Sequence, residues 1–111
     1  MEIVLFRIHT RPDIDQVEYE RAFMEMVSRA SQLARGFVDI QAYAGEDGSE
    51  LAVARFESAD AIARWRDEPA HVATRERGHS EFFDSYDITI ATQWKHYDWS
   101  RGQQVPGCGS R

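Results

Sequence analysis

Between residues 65 and 71 the chain reads WRDEPAH, which places a large aromatic, a break and an imidazole within seven positions. Trp65 can wall a small-molecule site, and His71 can accept a proton, because a free imidazole titrates near pH 6.5 and is neutral at working pH. Arg75 follows one helical turn after His71 and can hold an anionic group. Each also has a plainer role. Trp65 shares a helix face with Ile62 and can simply anchor that helix, His71 can be a solvated first-turn residue, and Arg75 can pair with Asp67, Glu68 or Glu76.

Other polar groups carry less. His79 follows Gly78 at a helix restart, where capping is the simplest role. His9 and His96 lie on outer strands where they could face each other, but without adjacent carboxylates they make a poor metal site. Arg7 sits inside an apolar strand on the Ile3 and Leu5 side, so it needs a partner, a cavity or a dimer seam if buried. The sequence points to no metal.

These residues need elements to position them. EIVLFRIHT (2–10) is a strand with apolar residues on both alternating sides, Ile3 and Leu5 on one, Val4, Phe6 and Ile8 on the other. After a turn at Pro12-Asp13, Asp15 caps a helix over 16–34, where Tyr19, Phe23, Met24, Met26, Val27, Ala30 and Leu33 share one arc. Gly36 stops it. Residues 37–45 and 50–57 form two strands joined through Asp47-Gly48, a hairpin signal. Ser58 caps a second helix, Pro69 breaks it near Glu68 and starts a further turn that runs to Gly78, and a last strand spans 86–99.

The order β-α-β-β-α-β predicts an α+β, ferredoxin-like fold, a four-stranded antiparallel sheet with the helices on one face. A first strand apolar on both sides leaves one sheet face without cover. That predicts a homodimer, sheet against sheet, about an isologous two-fold.

Composition narrows the function classes. The 111 residues suit one domain, residues 1–99, with a polar, Gly-rich, poorly ordered tail over 100–111. Nineteen acidic against 13 basic residues give a net charge of −6, so a phosphate backbone is repelled and no nucleic-acid partner is expected. The single cysteine, Cys108, permits no internal disulfide and fits a reducing, cytoplasmic setting. The apolar run in MEIVLFRIHT is too short for a membrane span or signal peptide and reads as a strand, so no membrane partner is expected.

Taken in order, the Gly-Phe opening the second strand, the DG hairpin, the strand-ending aromatic before Ser-Ala-Asp, W-x5-H, a Gly, paired aromatics and a Y-x-I strand resemble the antibiotic-biosynthesis monooxygenase (ABM) family. The resemblance covers residues 2–99 and implies a dimeric α+β barrel. It further implies oxygenation of a small, electron-rich phenol or quinol by O₂ with no flavin, metal or haem, in a closed apolar pocket. In the family's aromatic-polyketide oxygenases an Asn one turn before the helical Trp and a Tyr six residues after it bind substrate. The matching positions here are Ala61 and His71, with the Trp kept as Trp65.

On this resemblance the site comprises Trp65 and His71 as catalytic residues, with Phe23, Val27, Phe82, Arg75 and Arg7 as substrate contacts. The family's haem-degrading branch offers an alternative. It places an Asn, the Trp and an iron-binding His where this chain has Phe6, Trp65 and Arg75, so two of its three markers are lost. A non-catalytic dimeric binder of a small metabolite is the remaining alternative, and it requires a filled or shallow pocket.

Overall fold

The computed structural model describes residues 1–102. The tail from 103 onward, Cys108 included, lies outside the described residues. The chain order is β1 (Glu2–Thr10), α1 (Gln16–Leu33), β2 (Phe37–Ala44), β3 (Glu50–Phe56), α2 (Ala59–Arg66), α3 (Pro69–Arg77), a π-helical turn (Gly78–Phe82) and β4 (Phe83–Thr92). The four strands form one antiparallel sheet in the order β2-β3-β1-β4, so the fold is α+β and ferredoxin-like.

Local chemistry sets the element ends. The Asp15 side chain accepts from the Glu18 N–H at 3.1 Å and Ser58 accepts from the Ala61 N–H at 3.1 Å, each satisfying a donor that the first helical turn leaves open. Gly36, after α1, and Gly48, in the β2–β3 hairpin, hold φ of +88° and +86°, where a side chain is strained. Pro69 opens α3 without needing a donor, and the Glu68 carboxylate caps α3 by accepting from the Ala70 and His71 N–H groups at 2.8 and 3.2 Å.

The last strand differs from the 86–99 expected. It begins three residues earlier and ends at Thr92, because β1 is its one partner among the described residues. Thr92 pairs with Glu2, Gln93 N–H donates to the Met1 carbonyl at 3.0 Å, and there β1 has run out. Period-2 patterning continues in the sequence, but among the described residues no neighbouring backbone remains to pair with it.

One sheet face carries the core. Ala30 of α1, Ala54 and Phe56 of β3, and Ala61 and Trp65 of α2 form a buried cluster flanked by Val4, Ile40 and Met26. The alanines on β3 let the helices approach the sheet closely. Cover is incomplete: Ile88 and Ile90, level with Phe6 and Val4, are 52% and 57% exposed on the edge strand. In α1, Met24 and Leu33 at the margins of the apolar arc are exposed too.

The opposite face holds Ile3, Leu5, Leu51 and Val53, with no helix among the described residues over them. Arg7 sits on this face directly opposite Asp87, with an ion pair of 2.9 Å, and Arg55 pairs with Asp39 at the other end of the strip. An apolar strip with an ion pair at each diagonal corner is therefore what the open face presents.

Candidate functional site

A cleft of about 350 Å³ lies between α1, α3 and the helix-side face of the sheet. Tyr19, Ala22, Phe23 and Met26 of α1 line it at the helical spacing that puts all four on one side. Ala70, Ala73, Thr74 and Arg77 do the same from α3. Phe6 and Ala52 form its floor, and Phe82 and Phe83 close one end. The three alanines make the room, since each keeps a helix side chain short where a larger one would fill the space.

The walls are mutually braced. The Phe82 ring meets Tyr19 edge-on at 5.3 Å and Phe83 meets Phe6 edge-on at 5.9 Å. The Arg77 guanidinium lies 5.1 Å over Phe82. Arg77 also crosses from α3 to α1, donating to Glu18 at 2.7 Å, and pairs with Glu81. Arg21 reaches Glu18 at 2.6 Å and Glu25 at 2.9 Å, and Arg29 reaches Glu25 at 3.1 Å, so the mouth is rimmed by a paired chain of charge. Hydrogen bonds from Arg21 and then Arg77 hold the Glu18 carboxyl down to about 2.

The sequence-derived site residues divide. Phe23 and Phe82 line the cleft. Trp65, Val27, His71, Arg75 and Arg7 do not. Trp65, 8% exposed, belongs to the core cluster, as the plainer reading had it. His71 lies against it, with ring centroids 4.6 Å apart and the rings tilted at 38°. The imidazole is half-buried, and its Nδ1 is buried with no hydrogen-bond partner among the described residues. Burial first, then the Arg75 charge, depresses its pKa below the ordinary value against the opposing pull of Glu68. His71 is therefore held as neutral imidazole rather than as a solvated surface group. Arg75 makes no hydrogen bond or close ion pair among the described residues, and of the expected acids only Asp67 feels its charge, which adds to the larger effect of Arg66 in holding that carboxyl down. Arg7 takes Asp87 on the open sheet face, away from the cleft.

Two further expectations change. His79 does not cap a helix; its Nε2 lies 2.7 Å from the Tyr86 hydroxyl and the two rings stack at 7°. His9 and His96 do not face each other, because the antiparallel register sets His9 beside Ser85, at the opposite end of β4 from His96. Each has a carboxylate neighbour after all, Asp47 and Asp98, both at 3.6 Å. Among the described residues no group of three or more His, Cys, Asp or Glu side chains could hold a metal, and no helix is long and apolar enough to cross a membrane.

One polar pair escaped sequence reasoning. The Tyr19 hydroxyl donates to Glu50 Oε1 at 2.9 Å, tying α1 to the start of β3. Burial, then the Glu50 charge, pushes the phenol pKa well above its ordinary value, so Tyr19 stays a donor. Tyr19 was visible as an apolar-arc residue, but nothing in the sequence links it to a carboxylate 31 positions away.

No family model matches the chain. It is 31% identical to the uncharacterized protein YqjZ of Bacillus subtilis over 77 residues, 67% of this chain and 68% of that one. Its structure is similar to a "putative antibiotic biosynthesis monooxygenase" from Caulobacter crescentus, with a TM-score of 0.74, 14% identity, and 85% and 90% of the two chains covered. It is similar also to SnoaB, a cofactor-independent oxygenase from Streptomyces nogalater, with a TM-score of 0.73, 15% identity, and 86% and 94% covered. The chain belongs to one family with YqjZ, and its fold is that of the antibiotic biosynthesis monooxygenases.

Proposed function

We propose that the protein is an oxygenase of the ABM type that uses O₂, without a bound cofactor, on a small phenol- or quinol-like aromatic. The observation that carries this reading is the cleft. Its volume of about 350 Å³ suits a substrate of one to three rings, and its walls are the aromatic and aliphatic side chains that favour a flat apolar guest. An open cleft lined by Phe82 also speaks against a binder whose pocket is filled by its own side chains. No observation favours the haem alternative.

In this reading His71 accepts the phenolic proton, leaving an electron-rich phenolate to react with O₂. Its neutrality and its unpaired Nδ1 suit it to the task. It stands on α3 beside the cleft-lining Ala70, with its ring turned onto Trp65. Rotation of the side chain is needed to bring a ring nitrogen to the guest. Trp65 holds the ring in its resting position, where burial, then the Arg75 charge, keeps the imidazole from charging.

The working unit in this proposal is a cytoplasmic homodimer joined through the open sheet face. Ile3, Leu5, Leu51 and Val53 supply the apolar strip, and Arg7–Asp87 and Arg55–Asp39 its charged corners. A two-fold brings such a strip against itself. The test is oxygen uptake by purified, chelator-treated protein with a panel of phenols and quinols. Uptake that falls at least about 100-fold in His71→Ala, the usual scale for a lost general base, supports the proposal. No uptake with any substrate, or an unchanged rate in His71→Ala, refutes it.

A further inference from the structure

A second cavity, of about 270 Å³, opens at the hairpin end of the sheet and differs from the cleft in character. Thr10, Gln16, Ser49 and Glu50 line it, so polar residues replace the phenylalanines. Tyr19 and Ile8 line both cavities, which makes these two side chains the wall between them.

Two donors of this chamber are committed elsewhere. The Gln16 amide donates to Glu20 at 3.3 Å, and the Ser49 hydroxyl donates to Asp47 at 2.5 Å. Glu50 is different. It is half-buried, it has no ion-pair partner among the described residues, and its one hydrogen bond is the 2.9 Å contact from the Tyr19 hydroxyl. A partly desolvated carboxylate with a single neutral donor has acceptor capacity to spare, and it is selective for a ligand that brings a donor or a positive charge.

We infer that this chamber is the polar half of a substrate site whose apolar half is the cleft. It takes an amine- or hydroxyl-bearing arm of an aromatic ligand, with Glu50 as acceptor and Tyr19 as the partition that the arm displaces. The inference rests on the reading of the cleft as an aromatic site and narrows it to aromatics that carry a donor on a short chain. Tyr19 suits a partition that moves. Its ring is held edge-on by Phe82 on the cleft side and its hydroxyl by one bond on the other, so a ligand donor that replaces the hydroxyl at Glu50 releases the phenol. The closed arrangement in turn keeps Glu50 satisfied when no ligand is present.

A matched pair of probes tests this. Tyramine and 4-ethylphenol share the ring and the two-carbon chain and differ only in the amine. Binding of each to the full chain at pH 7.5 is measured by titration calorimetry. Tyramine should bind at least about tenfold tighter, the scale of one charge-assisted hydrogen bond. Glu50→Gln, checked for folding by circular dichroism, should remove that preference. Tyr19→Phe keeps the wall but frees Glu50, so it should keep or enlarge the preference, and it decides the matter should Glu50→Gln not fold.

Equal affinities, no saturable binding of either probe, survival of the preference in Glu50→Gln, or its loss in Tyr19→Phe would overturn the inference. Binding needs no turnover, so the two readings fail separately. A tyramine preference without oxygen uptake keeps the chamber and removes the oxygenase, whereas uptake without the preference does the reverse.

Discussion

Replacing Gly36 with alanine should destabilise the fold through two separable causes. Gly36 holds φ at +88°, and a Cβ there would lie 2.7 Å from the Cβ of Ala61, which is fully buried on α2. The left-handed backbone costs about 1–2 kcal/mol for a residue with a side chain. The overlap of two methyl groups in a closed core costs about 1–3 kcal/mol more. Gly48 supplies the control, since its φ is +86° but a Cβ would meet nothing within 4 Å. Both substitutions also stiffen the unfolded chain, an effect that cancels between them. Gly36→Ala should therefore be less stable than Gly48→Ala by about 1–3 kcal/mol.

Urea unfolding followed by tryptophan fluorescence reads this directly. Trp65 is buried while Trp94 and Trp99 are 89% and 62% exposed, so the spectral change on unfolding reports chiefly on α2. Equal stabilities of the two variants, within about 0.5 kcal/mol on a linear extrapolation, would refute the claim that α2 is seated on Gly36. The seating matters beyond stability. Trp65 lies one turn after Ala61 and carries the His71 ring, so lifting α2 displaces the imidazole on which the proposed chemistry relies.

Three further outcomes are expected. His71 has a folded pKa below its unfolded value of about 6.5. The unfolded chain therefore takes up a proton first, and stability should fall as pH drops through 6.5 toward the folded value; urea midpoints at pH 7.5 and 5.5 should converge in His71→Gln, and an unaltered slope would contradict this. Ser58→Ala removes the α2 cap and should cost about 1 kcal/mol by urea unfolding. Leu5→Asp on the open sheet face should turn a sedimenting dimer into a folded single subunit. A wild-type single subunit at micromolar concentration would contradict the proposed dimer.

The strand and helix order was legible because each element announced itself locally. Asp15 and Ser58 stand as side-chain caps, Asp47-Gly48 makes the hairpin, and Pro69 divides the second helical stretch where it was expected to. What failed depended on neighbours distant in sequence. β4 stops at Thr92 because β1 ends at Glu2, a fact about register and not about residues 93–99. His79 finds Tyr86 across the turn, a partner that its flanking residues do not suggest.

The site was only half legible for the same reason. An apolar arc on α1 shows which residues avoid water, but not which of them meet a wall and which a space. Phe23 and Val27 look alike in periodicity, yet only Phe23 lines the cleft. The Tyr19–Glu50 bond and the alanines that make room on α3 become meaningful once α1, α3 and β3 are brought together.

The central claim is that oxygen chemistry takes place in the cleft between α1 and α3. Ala73 lines that cleft and is itself exposed, so Ala73→Trp should fill the space while sparing the buried core. The direct measurement is incorporation of labelled oxygen from O₂ into a phenolic substrate by chelator-treated wild-type and Ala73→Trp protein. One labelled atom per product molecule is expected from the wild type and none above background from the variant. Absence of label in the wild-type product, or full incorporation by Ala73→Trp, would contradict it.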